Sequence, residues 1–260
     1  MTVAAQLLHV RGHQIAMRVQ GEGDPLLLIN GMTRPLQSWE PLIRSLPGRT
    51  VVSFDAPGVG ASPTPVLPLS IPALAVLAVA VMDAAGLDHA DVLGFSHGGA
   101  VAQQLAFAHP ARVRRLVLAA TSCGVGATPG SVWAGLRGLR PPADAASWPR
   151  ADAMGMVWHS LAYSNWSSIP FLGSIAAPTL VVCGTHDRIV APANSRVLAG
   201  RIPGASLVML PAGHDLQRPD PARAMADVLR RFLVSSGAPE RRQTSPLALR
   251  VGGGLLPSNC

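Results

Sequence analysis

The sequence predicts an α/β fold built on a mostly parallel, doubly wound sheet with a short inserted lid, and three observations carry that reading. Short apolar runs bounded by glycine or proline alternate with helical stretches along most of the 260 residues. Several runs are continuous rather than alternating, as in Pro25-Leu26-Leu27-Leu28-Ile29, which marks strands buried on both faces. One of them, Val92-Leu93, stops at Gly94-Phe95-Ser96-His97-Gly98, a glycine-flanked serine between a strand and a helix.

Each element has its own signal. Residues 7–19 alternate weakly around Arg11-Gly12, which suits an opening β-hairpin. The buried strand over 25–30 ends at Gly31, and a helix is expected over 36–46. A second strand, 50–54, runs into Asp55-Ala56-Pro57-Gly58-Val59-Gly60, too rich in Gly and Pro to continue either element. A helix over 71–85 closes on Gly86, and the helix after Ser96, over 98–108, is stopped by His109-Pro110. Strands over 115–120, 178–184 and 205–211 follow, the last two separated by a helix near 194–199. A final helix over 220–233 carries Ala222, Met225, Val228, Leu229 and Phe232 at helical spacing.

Two stretches break the alternation. Residues 122–171 are irregular, hold Trp133, Trp148, Trp158 and Trp166, and read as a small lid inserted between two strands. Residues 236–260 lack periodicity and are expected to form a disordered tail, which leaves one domain over 1–235.

Composition narrows the function. Hydrophobic residues make up 48% and charged residues 13%, enough apolar material for one large core. The formal net charge is +7 and all the basic side chains are arginine, with Arg112, Arg114 and Arg115 the densest cluster. The arginines form no stripe and have no interleaved aromatics, so they read as solvated surface and no nucleic-acid partner is expected. The longest apolar run, 71–82, contains Pro72 and falls short of the ~18 residues that a bilayer span needs. The N-terminal stretch has no basic segment followed by an apolar one, so cytoplasmic residence is the expectation. Cys123, Cys183 and Cys260 and the eight histidines show no metal-ligand spacing, and no glycine-rich phosphate fingerprint follows the first buried strand. Neither metal nor other cofactor is expected.

The chemistry begins at Ser96. A serine on a sharp strand-to-helix turn lifts its Oγ clear of the sheet, and the amides that open the next helix point toward developing negative charge. Such a nucleophile needs a base and an orienting acid, each where a strand ends. Val181-Val182-Cys183-Gly184-Thr185-His186-Asp187 supplies a carboxylate and Leu210-Pro211-Ala212-Gly213-His214 an imidazole, both on the edge that carries Ser96. The oxyanion donors are expected to be the backbone N–H groups of His97 and of Met32, in the loop after the first buried strand, where replacement of Gly31 should matter. Asp55 reads as a turn-stabilising residue, and His186 and Asp215 as neighbours without catalytic roles. Trp133, Trp158 and Trp166, with Met154, Met156 and Phe171, are the candidate pocket lining.

The segments LLLINGM, SFDAPGVGASPTP, GFSHGGAVAQQLA, RRLVLAATSCGVG, APTLVVCGTHDRIV and PAGH together resemble the α/β-hydrolase family, and within it intracellular medium-chain-length poly(3-hydroxyalkanoate) depolymerases. The resemblance spans roughly residues 26–233, apart from the lid. It implies an α/β-hydrolase fold with Ser96 as nucleophile, Asp187 as acid and His214 as base, the residues reached above. His97 stands where these depolymerases usually carry tryptophan, and the lid is shorter than theirs.

The expected activity is hydrolysis of carboxylic esters with an apolar acyl portion, small or oligomeric, including hydroxyalkanoate polymer. With the same triad, thioesters, lactones or the carbon–carbon bond of a diketone are alternative targets. A non-enzymatic receptor or polymer-granule-binding protein is the other class, resting on the apolar face of 71–82 as an association surface if exposed.

Overall fold

The computed structural model describes residues 4–131 and 152–234. Trp133, Trp148 and residues 236–260 lie outside the described residues. The hairpin is β1 (Gln6–Val10) and β2 (His13–Gln20), joined through Arg11 and Gly12, both at positive φ, in the two-residue turn whose twist matches paired strands. Then come β3 (Asp24–Ile29), a 3₁₀ turn (Leu36–Trp39), α1 (Glu40–Arg44), β4 (Arg49–Phe54), α2 (Ile71–Ala84), β5 (Ala90–Phe95) and α3 (His97–Ala108). The chain continues through β6 (Val113–Ala119), α4 (Ala153–Ser164), β7 (Thr179–Gly184), α5 (Pro192–Arg201), β8 (Ser206–Leu210) and α6 (Pro219–Val234).

These strands form one sheet in the order β1-β2-β4-β3-β5-β6-β7-β8. Pairing is antiparallel from β1 to β2 and from β2 to β4, and parallel throughout the rest. The chain builds outward from β3 first toward β4 and then, through β5, toward β8. Helices following strands at such a reversal diverge and leave a crevice beyond the carboxyl ends of the central strands, where doubly wound sheets bind their ligands.

Side-chain alternation along the strands divides the core in two. Leu27, Ile29, Val52 and Val92 pack against α2 and α3, while Leu26, Leu28, Val51, Leu93 and Phe95 face Trp39, Leu42 and α6. The apolar run of α2 is therefore spent inside: Ile71, Leu74, Ala75, Leu77, Ala78, Val81 and Met82 are all buried. It is not an exposed association surface.

Three local expectations need correction. The helix expected over 36–46 is broken into a 3₁₀ turn and the five-residue α1, because Pro41 removes a backbone donor where the two meet; Asp55 Oδ1 caps the first amide of the turn, Leu36 N–H, at 2.6 Å. The irregular segment between β6 and β7 contains the helix α4. Its periodicity points the wrong way, since Gly155, His159 and Ala162 face inward while Met154, Val157 and Leu161 are exposed. The glycine is what allows that face to bury: a Cβ on Gly155 would stand 2.3 Å from the Gly58 carbonyl oxygen. Finally, the arginine cluster is not simply solvated. Arg112 pairs with Asp83 at 2.6 Å, and Arg114 and Arg115 converge on the buried Asp91.

Candidate active site

Ser96 follows β5 directly and caps α3, at φ 52° and ψ −119°. A serine held at positive φ is strained, and the surroundings maintain it. Its N–H donates to the Ala119 carbonyl at 2.9 Å, and its own carbonyl accepts from Thr121 Oγ1 at 2.7 Å and Gly99 N–H at 2.9 Å. The flanking glycine is a requirement of packing, because a Cβ on Gly98 would lie 2.2 Å from the Ile29 carbonyl oxygen. Close approach of α3 to the end of β3 is what brings the nucleophile beside the loop that follows β3.

His214, in the loop after β8, reaches Ser96 Oγ with Nε2 at 3.1 Å, and its Nδ1 lies 2.8 Å from Asp187 Oδ2. With Nδ1–H donating to the carboxylate, Nε2 is left to accept the serine proton. Asp187, its side chain fully enclosed, is fixed through its other oxygen, which accepts the Ile189 and Val190 N–H groups at 2.9 Å each. The imidazole leans on the Phe95 ring, with centroids 5.2 Å apart. Three strand ends, β5, β7 and β8, thus deliver one continuous chain of hydrogen bonds.

Of the expected oxyanion donors, His97 N–H opens α3 next to Ser96. Beside Met32, the Gly31 N–H is turned to Asn30 Oδ1 at 3.1 Å, which leaves Met32 N–H as the next amide along that loop. A Cβ on Gly31 would meet Ser96 Cβ and Phe95 Cδ1 at 3.4 Å, contact rather than collision. Alanine therefore fits there, and only a longer side chain extends over the serine.

Of the tryptophans expected to line the pocket, Trp133 lies outside the described residues, and Trp158 and Trp166 are held by their indole N–H groups. Trp166 is buried and donates Nε1–H to Gln104 Oε1 at 2.9 Å, and Trp158 donates to the Pro65 carbonyl at 3.1 Å. Phe171 stacks on Phe107, centroids 4.4 Å apart. The rings that meet His97 come instead from α4: His159 at 4.7 Å, edge-on, and Tyr163 at 6.0 Å. Tyr163 Oη is 2.5 Å from Ser122 Oγ, and Ser160 Oγ lies 3.8 Å from Met32 Sδ, so α4 roofs the elbow with polar as well as apolar groups. Sequence reasoning passed over these residues because nothing local marks a buried histidine. The one available signal was their i, i+4 spacing in His159 and Tyr163, which places both on one helical face.

Burial pushes the His97 imidazole well below the usual histidine range, with the neighbouring His159 adding to the effect, and burial lowers His159 as well. Both rings stay neutral in the folded protein while they gain protons in the unfolded chain as pH falls through about 6.5. Stability is then fully present above that pH and is lost below it. Asp55, whose oxygens accept the Leu36 and Ala61 amides, acts in the opposite sense: burial raises it from 3.8 to about 6, so acidification favours its folded form. Two groups outweigh one, and the urea midpoint should fall between pH 7 and pH 6. In His97→Phe, which leaves His159 alone against the opposing Asp55, most of that fall should disappear; an unchanged fall would show that the histidines do not control it.

A serine raised on a strand-to-helix turn at the carboxyl edge of a doubly wound sheet, bonded to an imidazole and through it to a carboxylate, is the architecture of α/β hydrolases. The alpha/beta hydrolase fold family matches residues 24–158 and 145–221. The poly(3-hydroxyalkanoate) depolymerase of Ectopseudomonas oleovorans is 37% identical over 240 residues, covering 80% of this chain and 84% of that protein. Among solved structures, a hydrolase from Pseudomonas aeruginosa PA01 superposes with TM-score 0.74 at 28% identity, covering 89% of this chain and 98% of its own. The enol-lactonase from Burkholderia xenovorans LB400 does so with TM-score 0.78 at 26% identity, covering 88% and 99%. The chain belongs to the α/β-hydrolase family.

Proposed function

We propose that the protein is a serine esterase that cleaves carboxylic esters with an apolar acyl portion. The observation that carries this reading is the hydrogen-bonded chain Ser96–His214–Asp187 at the crevice edge, with distances of 3.1 and 2.8 Å. Ser96 Oγ attacks the acyl carbon as His214 Nε2 takes its proton, and Asp187 stabilises the imidazolium. The tetrahedral oxyanion is met by the Met32 and His97 N–H groups, and collapse expels the alcohol with the proton returned by His214. Water then repeats the sequence on the acyl-enzyme.

Residues 122–171 act as the lid over this site, within a single domain. Acyl selection falls to the underside of that lid, and similarity to a poly(3-hydroxyalkanoate) depolymerase supports hydroxyalkanoate esters, oligomeric or polymeric, as the substrate class. Met154, Val157 and Leu161 on α4 and Val66 and Leu67 beside it are exposed, which supports contact with an apolar polymer-granule surface. No helix among the described residues is long and apolar enough to cross a membrane. The free, buried thiols Cys123 and Cys183 suit a cytoplasmic enzyme.

A chain-length series of p-nitrophenyl esters tests the reading: kcat/KM should rise with acyl length before it levels off. Similarity to an enol-lactonase favours lactones as the second candidate. Lactones, acyl thioesters and diketones run in parallel separate the bond types, and faster turnover of any of them would replace the ester assignment. A protein that a fluorophosphonate fails to label, yet that binds polymer tightly, would instead be a non-catalytic binder.

A further inference from the structure

The loop after β3 and the loop after β8 are joined at two points. Arg34 Nη2 donates to Asp215 Oδ2 at 2.9 Å, with side chains only 14% and 25% exposed. Gln217 Nε2 donates to Asn30 Oδ1 at 2.9 Å, both residues buried. Asn30 is in turn anchored by its Nδ2, which donates to the Pro35 carbonyl and to Ser38 Oγ, each at 2.8 Å. Gly31, Met32 and Thr33 therefore lie between the two bridges on one side, and His214 lies immediately before both partners on the other.

We infer that these bridges form a clasp that sets the oxyanion loop at a fixed distance from the base, so that Arg34, Asp215, Asn30 and Gln217 are positioning residues for the reaction. The inference rests on the serine-hydrolase reading above. An oxyanion donor acts only within about 2.7–3.1 Å of where the negative charge develops. The stretch that carries Met32 N–H includes Gly31, and no strand or helix restrains it. The clasp supplies the restraint directly from the loop that holds His214. Its composition favours geometry over stability. Asp215 Oδ1 and Gln217 Oε1 are buried without a hydrogen-bond partner among the described residues, a cost that apolar packing at the same places would avoid.

The test uses Arg34→Met, Asp215→Leu, their double variant, and Gln217→Met for the second bridge. Each is assayed on the best ester, with kcat expressed per site titrated by a fluorophosphonate so that misfolded protein is not counted. Each single variant should lose about tenfold to a hundredfold in kcat with KM within about twofold, the size of effect that small misplacements of a catalytic group produce. The Arg34→Met/Asp215→Leu double variant should be no slower than the slower single, because both changes break the same bridge. Singles with unchanged kcat per titrated site, losses confined to KM, or losses that multiply in the double variant would each overturn the clasp. Should Arg34→Met not fold, Gln217→Met carries the same expectation. If instead the wild-type protein is not labelled at Ser96, the serine-hydrolase reading itself fails and the clasp falls with it, an outcome distinct from normal labelling with unaffected variants.

Discussion

Replacing Ser96 by alanine is expected to lower kcat on the best ester by about 10⁴- to 10⁶-fold, the range seen when the nucleophile of a triad is removed. The substitution removes one oxygen that no other side chain replaces. His214 would keep its bond to Asp187, and the backbone donors would remain, so KM should change little. Asp187→Asn is expected to cost about 10⁴-fold for a different reason. Its Oδ2 now accepts from His214 Nδ1 at 2.8 Å, while Oδ1 accepts the Ile189 and Val190 amides. An asparagine with its oxygen toward those amides would turn an NH₂ toward Nδ1. The imidazole would then adopt the tautomer with the proton on Nε2, facing Ser96 Oγ, and lose the acceptor that the mechanism needs. The losses should not multiply: Ser96→Ala combined with His214→Ala should be about as slow as either alone. Steady-state kinetics per mole of folded protein, with folding confirmed by circular dichroism because the alanine variants lack the serine that a fluorophosphonate titrates, checks all three, and activity within tenfold of wild type in Ser96→Ala would sink the mechanism.

The legibility of this chain in its sequence depends on the range of the forces concerned. Strands buried on both faces announce themselves as continuous apolar runs, so β3 to β7 and the mostly parallel character of the sheet could be read directly, while the strand order could not. Ser96, Asp187 and His214 stood out because each follows such a run, and the structure brings them into one hydrogen-bonded chain. α4 was missed because its fully buried positions are a glycine, a histidine and an alanine, while Met154, Val157 and Leu161 face solvent. The bridge from Arg34 to Asp215 joins residues 181 positions apart, and no local pattern encodes it. The same holds for Arg114, which looks like surface charge until the fold sets Asp91 beneath it.

Asp91→Asn is expected to be the most damaging conservative change for stability. Asp91 sits at the start of β5, its side chain fully enclosed, and accepts from Arg49 Nη1 at 2.7 Å and from Arg114 Nε and Nη2 at 2.9 and 2.8 Å. Arg115 lies 3.7 Å away, and Arg49 also donates to the Leu233 carbonyl at 3.1 Å, so the carboxylate links β4, β5, β6 and the end of α6. Neutralising it leaves the arginines crowded with no interior counter-charge, and breaking a buried pair in this way costs about 3–5 kcal/mol. Set against a typical total of about 5–15 kcal/mol, that is a large share, equivalent to roughly 10 °C in Tm for a domain of this size. Asp24, the exposed member of the same cluster, provides the comparison. It is 58% exposed and pairs with Arg114 at 3.0 Å, and the hydrogen bond from Arg114 lowers its carboxyl below the usual range. Water can replace that contact, so Asp24→Asn should cost less than about 1 kcal/mol. Urea unfolding followed by tryptophan fluorescence measures both. Because the cluster lies at the opposite strand ends from Ser96, kcat per folded molecule should be unchanged in either variant; equal losses of stability from Asp91→Asn and Asp24→Asn would refute burial as the cause.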